Sequence, residues 1–503
     1  MNKEKTANAK SIASRTAVGA AWVMLWRFAT RGVGFLSTLI LARLLVPEDF
    51  GLVTLAAAFA GSVDLLSWIG VQDMLVREAA PTREQYDTAF TLSVLRGLLT
   101  ATVVVALAPL LGYFMKEPRL TPIILTLALG AAMAGLENVG IVDFRRDLRF
   151  DMEFKLMILP RVAGSIITVV SAVMLRSYWA LIIGILASRA LRVVYSYTVH
   201  PFRPRWGLAD WRGFLHFSLW TWAGAVVVVL RDRCDSVIIG RFLGTSQVGI
   251  YGIGQEIALL PVSEVLEPLG RALFSGFAVS DQTSGGSGEA FLRVVGLVAL
   301  IIMPASVGIS ALATPMVILL LGPSWTGAII IIQILALSGV LRVFGHVSAT
   351  LLIALGKPRI PARVGLCGAT ARVGLLLVLV HQGGLIGAAV AVFLSILVEE
   401  VFFVAAITQQ LHLRVTQLIA QVWRGFLASL IMSGVLVSTG LGWYAVATTA
   451  TQSVIDIFVT ALFGAATYAG SVLVLWIIAS RPNGAEREIC DAAMSVWRRT
   501  SLR

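Results

Sequence analysis

The sequence predicts an all-α polytopic membrane protein with about fourteen transmembrane helices. Only 14% of the 503 residues are charged and 57% are hydrophobic, and the mean hydropathy is +0.86. Soluble domains usually have about 25% charged residues. Uncharged runs such as 97–115, 294–322 and 425–455 approach or exceed the roughly 20 residues that cross a hydrocarbon core as a helix.

A repeat suggests that these helices form two similar halves. The stretch Leu41–Gly51 reads LARLLVPEDFG, and Ile239–Gly249 reads IGRFLGTSQVG. In each copy an apolar helix ends near an Arg, a polar turn follows, and a Gly opens the next apolar run. Either copy alone fits ordinary helix-end chemistry, but two copies about 198 residues apart favour a duplicated bundle.

The apolar segments define the helices and the domain boundaries. They lie near 17–45, 50–72, 88–114, 120–142, 152–175, 179–199, 213–243, 248–270, 291–321, 327–355, 361–380, 384–408, 424–446 and 454–479. We therefore expect a cytoplasmic N-terminal segment (1–16), an N-lobe (17–200), a C-lobe (201–410), an accessory helix pair (411–480) and a cytoplasmic tail (481–503). Arg424 and Asp456 are the only ionisable residues in the accessory helices as delimited here, which predicts a peripheral, lipid-facing pair.

Basic residues set the predicted orientation. With an even number of helices both termini share one side, and nearly all loop Lys and Arg fall on that side, which the positive-inside rule assigns to the cytoplasm. The acidic turn at residues 47–49 then lies outside. The first apolar segment is too long for a cleavable signal and contains Arg27 and Arg31.

Several functional classes lack support. The net charge of +12 is spread over short loops, so topology explains it better than nucleic acid. Cys234, Cys367 and Cys490 fit no metal or redox spacing, and no Walker, zinc or hydrolase motif is present. No loop is long enough to form a catalytic domain, the longest being 274–290. We expect a protein that is not an enzyme and needs no metal or cofactor.

Ionisable residues within the apolar helices are the candidate functional residues. Each costs at least about 2.5–3.5 kcal/mol at the bilayer centre and so usually faces a cavity or a partner. We assign substrate binding to Arg27, Arg31, Arg96, Arg189, Arg231, Arg233, Arg342 and Arg372. Ion coupling is assigned to Asp64, Asp235, Glu256 and Glu264, for which salt bridges to nearby arginines explain the pattern equally well.

The first helix of each predicted lobe supplies the main argument for an anionic substrate. Arg27 and Arg31 are one turn apart, and the repeat offset places them close to Arg231 and Arg233. The planar guanidinium fork suits phosphate oxygens, so a cavity lined by these four would favour a diphosphate group. The alternative for any one of them is snorkelling or a structural ion pair, and we expect Asp64 to face Arg31.

Three stretches resemble the Wzx-like oligosaccharide flippase and polysaccharide exporter family. They are ARLLVPEDFGLVTL, DSVIIGRFLGTSQVGIYGIGQEIALLP and LGKPRIPARVG. The resemblance covers most of residues 10–410. It implies two six-helix lobes in a V around a central cavity, in the inner membrane of a bacterium. It further implies that undecaprenyl-diphosphate-linked oligosaccharide moves by alternating access from the cytoplasmic to the periplasmic leaflet, for exopolysaccharide, capsule or O-antigen synthesis.

The resemblance also suggests membrane lipids, a polysaccharide polymerase and a co-polymerase as partners. A multidrug or cation extruder of the same fold is the alternative function, but it would favour an acidic or aromatic cavity over arginines. A polymerase or ligase would be expected to have a large periplasmic loop.

Overall fold

The computed structural model describes residues 22, 25–67, 71–78, 80–209, 218–266, 286–443, 450–480 and 484–487. Within these ranges every regular element is a helix. They are α1 (25–44), α2 (Pro47–Leu66), α3 (Val71–Arg77), α4 (Arg83–Met115), α5 (Leu120–Gly135), α6 (Val142–Arg146), α7 (Phe150–Leu175), α8 (Trp179–Val199), α9 (Ser218–Leu243), α10 (Thr245–Ala258), α11 (Gly286–Ala311), α12 (Ala313–Met316), α13 (Ala328–Ala354), α14 (Arg359–Leu411), α15 (Val415–Ser438) and α16 (Ala450–Ile478). Short 3₁₀ or π segments follow α5, α10 and α12.

The helices confirm a polytopic membrane fold. Among the described residues, nine helices are long and apolar enough to cross a membrane, or ten if α5 and the segment 139–146, bent by 65°, form one crossing. The longest, α14, has 53 residues and would extend about 80 Å if continuous. Its backbone breaks at Gly384, where φ is 55°, as predicted by the gap between segments 361–380 and 384–408.

Two compact units divide the chain within α10, at Met1–Gly249 and Ile250–Arg503. Because α9 packs against α2, it belongs to the first unit. The lobe boundary expected at residues 200 and 201 stays a prediction.

The two copies of the repeat lie against each other within the first unit. A Cβ added to Gly51 would collide with the carbonyl oxygen of Thr245, and one added to Gly249 would collide with the carbonyl oxygen of Pro47. Gly51 and Gly249 are 198 residues apart, as are Pro47 and Thr245. The contact is therefore reciprocal, as expected for two copies related by a local two-fold axis.

The start of α2 corrects one detail of the sequence interpretation. Residues 47–49 form the first turn of α2 and not a loop. Pro47 occupies a first-turn position that needs no N–H donor, and Glu48 and Asp49 complement the positive end of the helix dipole. Asp49 Oδ2 also accepts the N–H of Val46 at 3.3 Å. The second copy begins its helix at the equivalent residue, Thr245.

The two C-terminal helices differ in how deeply they pack in the second unit. Leu418 and Val422 of α15 join a large buried cluster formed mainly by α11 and α13, and Met432 and Leu436 pack with Val307 and Ala311 of α11. This packing argues against a purely lipid-facing α15. Only 17% of the most apolar window of α16 is buried, which fits the expected lipid exposure of that helix.

Some sequence predictions fall outside the described residues. These are the N-terminal segment 1–16, most of the loop 274–290, Cys490, and the tail apart from residues 484–487.

Candidate functional site

The candidate arginines of α1 lie on the helix face that meets α7. Arg27 is half-buried and Arg31 is exposed. Gly34 follows Arg27 by seven residues and Arg31 by three, which places it on the same face of the helix. A Cβ added to Gly34 would lie 2.9 Å from Nη2 of Arg161 on α7. Arg161 lies in the apolar segment 152–175, but the sequence assigns it no role, because only the packing of α1 on α7 brings it to this face.

A second group joins α2, α4 and α9. Arg96 Nη1 of α4 donates to Asp64 Oδ1 of α2 at 3.0 Å. Gly61, one turn before Asp64, faces Arg233 of α9, whose Nη2 would lie 4.0 Å from an added Cβ. Arg96 and Arg233, both predicted to bind substrate, thus pack against the same stretch of α2. The pairing with Arg96 identifies one partner of Asp64; the expected pairing of Asp64 with Arg31 stays a prediction.

Three arginines in membrane helices of the first unit have no polar partner among the residues that the structure describes. Among the described residues, Arg161, Arg189 and Arg233 form no ion pair or hydrogen bond. Arg189 of α8 lies over Gly130 of α5, with Nη1 2.9 Å from an added Cβ. Arg192, one turn further along α8, is neutralised by Glu137 at 2.6 Å. Since uncompensated guanidinium groups are costly in lipid, we infer that these three face water or an anion.

Other candidates of α9 and α10 have different surroundings. Arg231 pairs at 2.9 Å with Asp232, and both side chains are exposed. Asp235 is buried, and its Oδ1 lies 3.3 Å from the Sγ of Cys234. Glu256 is exposed. Glu264 lies in the π segment after α10, where its Oε1 accepts the hydroxyl of Ser263 at 3.4 Å.

The candidate arginines of the second unit lie on α13 and α14. Arg372 is buried and donates through Nε to Ser395 Oγ at 3.2 Å, joining the two parts of α14. Glu400 is also buried and accepts the N–H of Gly345 at 2.5 Å. The charge of Arg342 acts on this carboxylate. The sequence noted Glu400 as an intramembrane acid without assigning it a role.

A further charge pair fixes the described part of the tail. Arg424 of α15 forms a two-pronged ion pair with Glu486, Nε to Oε1 at 2.5 Å and Nη2 to Oε2 at 2.9 Å. The two side chains are only 7% and 4% exposed. No sequence signal marked Glu486, because 62 residues separate the partners.

The segment after α8 is bound to the helix ends beside it. Asn138 Nδ2 donates to the carbonyl oxygen of Phe202 at 2.9 Å, and Asp87 Oδ1 accepts the N–H of Arg205 at 2.8 Å. His200 Nε2 lies 3.3 Å from Asp143 Oδ2. Burial lowers the pKa of His200, while the negative charge of Asp143 acts in the opposite direction.

A charge network joins the start of α2 to the turn between α4 and α5. Arg119 contacts Glu48 at 2.5 Å and Glu117 at 2.8 Å. Its hydrogen bonds hold the pKa of Glu117 below the usual range. These two carboxylates neutralise the charge of Arg119, so its position needs no ligand to explain it. Among the described residues no group of three or more His, Cys, Asp or Glu could hold a metal ion.

The fold and these charges define a polytopic helical membrane protein with arginines inside its membrane-spanning helices. The sequence profile of the family described as "Polysaccharide biosynthesis protein" matches residues 40–330, more than half of the chain. The chain belongs to this family.

Curated relatives agree with the family match. The chain is 26% identical over 355 residues to the lipopolysaccharide biosynthesis protein WzxC of Escherichia coli (strain K12), which covers 69% of this chain and 71% of WzxC. It is 25% identical over 341 residues to the succinoglycan biosynthesis transport protein ExoT of Rhizobium meliloti (strain 1021), covering 66% and 67%.

Two solved structures share the fold. The lipid II flippase MurJ in an inward closed conformation matches with a TM-score of 0.69 at 14% identity, covering 91% of this chain and all of that one. An inward-facing multidrug resistance transporter of the MATE family matches with a TM-score of 0.59 at 16% identity, covering 75% and 94%. At these identities the likeness shows the fold alone.

Proposed function

We propose that this protein is a flippase for undecaprenyl-diphosphate-linked oligosaccharide, which it moves from the cytoplasmic to the periplasmic leaflet of a bacterial inner membrane. The family match and relatives named for lipopolysaccharide, succinoglycan and teichuronic acid biosynthesis support this function. The product would be an exopolysaccharide, a capsule or an O-antigen.

The observation that carries the proposal is the set of arginines in the membrane helices of the first unit. Arg189 and Arg233 have no acidic partner among the described residues, although Arg96 and Arg192 do. Arginine stays charged in an apolar site and its fork matches phosphate oxygens. A diphosphate would supply the missing negative charge while the polyprenyl chain remains in lipid.

The energetics favour outward movement. An inside-negative potential lowers the free energy of a negative charge moving outward by about 2.3 kcal/mol per charge per 100 mV. We propose alternating access, in which the headgroup site opens first to the cytoplasm and then to the periplasm. The two-lobe arrangement implied by the sequence resemblance is part of this proposal.

We assign the diphosphate to Arg27, Arg31 and Arg233, and propose that Arg231 joins them when it leaves Asp232. Because Asp64 already pairs with Arg96 at 3.0 Å, we propose that this pair positions the α2–α4 face. Arg342 and Arg372 are further proposed substrate-binding residues. Coupling to sodium or protons through Asp235, Glu256 or Glu264 remains part of the proposal.

We further propose that the chain crosses the membrane about fourteen times, with both termini in the cytoplasm. The break in α14 supports this count, because it separates the predicted segments 361–380 and 384–408. Reporter fusions after Gly112 and Gly322 should be periplasmic, whereas fusions after Arg146 and Lys357 should be cytoplasmic. Two adjacent sites with the reverse result would contradict the count.

Deletion of the gene in its own host tests the function. The mutant should lose the surface polysaccharide and accumulate its lipid-linked repeat unit in the cytoplasmic leaflet. The intact gene should reverse both effects, and a gene with Arg31→Ala should not, although its product reaches normal abundance. Normal polysaccharide in the deletion mutant would contradict the proposal, provided that the host has no second flippase for the same unit.

A polymerase and a co-polymerase of the same polysaccharide are proposed partners. Co-purification of either with the detergent-solubilised flippase would support the assignment.

A further inference from the structure

Arg161 is an arginine in the central part of α7 without a role in the proposed function. It follows Phe150 by 11 residues and precedes Leu175 by 14, or about 16 and 21 Å along the helix. Its side chain is therefore far from both ends of the helix, where snorkelling would place the charge in water. Arg161 is nevertheless exposed on the surface of the protein.

In the described part of the chain, Arg161 has no partner that would neutralise it. Within the described chain it forms no ion pair, hydrogen bond or ring contact. By contrast, two other arginines in membrane helices of the same unit are neutralised by an acid, Arg96 by Asp64 and Arg192 by Glu137. An exposed, unpaired guanidinium at this depth is costly in lipid, so its surroundings must be water or an anion.

The contacts of α7 place this charge beside the arginines of α1. The two helices run in the same direction, with Trp22 against Phe154 near one end and Leu41 in a cluster with Ala172 near the other. Between these contacts, Nη2 of Arg161 lies 2.9 Å from the Cβ position of Gly34. Gly34 shares one face of α1 with Arg27 and Arg31. Its lack of a side chain leaves the space that the guanidinium occupies.

We infer that Arg161 is a third phosphate-binding residue of this face, contacting the same diphosphate as Arg27 and Arg31. The inference rests on the proposed function and adds the residue that presents its fork from a second helix. Guanidinium groups on two helices can hold a diphosphate from two directions, which a pair on one helix cannot do.

Binding of undecaprenyl diphosphate to the purified full chain tests this role. Arg161→Gln should weaken binding about tenfold or more, because it removes a charge-assisted hydrogen bond in an apolar setting. Arg161→Lys should recover part of the loss, since it restores the charge but not the fork. Arg363→Gln is the matched control: Arg363 is also exposed and unpaired among the described residues, but it lies in the first two turns of α14.

A second pair of variants leaves every charge in place. Gly34→Ala introduces a methyl group where the Arg161 guanidinium lies and should move that group aside, weakening binding severalfold. In the same helix, a Cβ added to Gly32 meets nothing within 4 Å, so Gly32→Ala should bind like the wild type. Both changes favour helix formation, so both proteins should fold, and a normal elution profile in size-exclusion chromatography would verify it.

Inorganic pyrophosphate, added as a competitor, separates the lipid from its headgroup. Competition with the wild type but not with Arg161→Gln would support recognition of the diphosphate itself. If pyrophosphate does not compete, but Arg161→Gln still binds the lipid more weakly than the wild type, Arg161 contacts the diphosphate only in its lipid-linked form.

The outcomes separate the two proposals. If the wild type does not bind undecaprenyl diphosphate, the proposed function fails. If the wild type binds it and Arg161→Gln and Gly34→Ala bind it equally well, the function stands and the role of Arg161 is overturned.

Discussion

Replacing Glu486 by Gln should destabilise the second unit by about 3–5 kcal/mol, because it leaves the charge of Arg424 buried without its partner. The two side chains are 7% and 4% exposed, and their nitrogen–oxygen distances are 2.5 and 2.9 Å. Screening by water is therefore weak. Gln keeps the shape of Glu, so the change isolates the charge.

The unfolding temperature and the membrane abundance of the full-length chain measure this effect. Glu289→Gln is the control, because Glu289 is an exposed acid in the first turn of α11. Replacing both partners with apolar residues, Arg424→Met with Glu486→Leu, should recover most of the loss, since it removes the buried charge altogether. An unchanged unfolding temperature for Glu486→Gln, or a double variant less stable than the single one, would refute this reasoning.

Three further predictions follow from the packing. Gly51→Ala should destabilise the first unit by about 1–3 kcal/mol because its methyl group meets the backbone of α10, and an unfolding temperature equal to that of Gly32→Ala would disprove the close contact. Burial lowers the pKa of His200, so the unfolded chain takes up the proton first and stability falls as the pH drops below about 6.5. His200→Gln should therefore reduce the loss of unfolding temperature on acidification, whereas His412→Asn, at an exposed position, should not. Equal losses in both variants would exclude this role of His200. A chain that ends at Gln421 should be poorly folded, because α15 covers part of the core, although its few charges predict a peripheral helix. Normal abundance with normal unfolding would support the peripheral interpretation.

Much of the fold could be predicted from the sequence, because in a membrane the backbone must satisfy its own hydrogen bonds and long apolar segments must be helical. Helix ends were less predictable. The sequence PED resembles a polar turn, yet Pro47 and the two acids that follow begin α2. The break at Gly384 was visible as a gap between apolar segments, since glycine readily adopts its positive φ.

The candidate site was less accessible to sequence reasoning. Hydrophobic background exposes every intramembrane charge, so Arg96, Arg189 and Arg233 could be selected. The partner of Arg96 could not be identified, because the Asp64–Arg96 pair depends on how α2 packs on α4. Arg161 is equally visible in the segment 152–175, but its role depends on Gly34 of another helix, and the role of Glu486 depends on Arg424, 62 residues away.

Movement of a lipid-linked oligosaccharide between leaflets is the most direct test of the central claim. Purified protein is reconstituted into liposomes that contain an undecaprenyl-diphosphate-linked oligosaccharide, and the fraction accessible to an external sugar-modifying reagent is followed over time. The wild type should make the inner-leaflet pool accessible, and Arg31→Ala should lose this activity while remaining folded. Liposomes with folded wild-type protein that behave like protein-free liposomes would contradict the central claim.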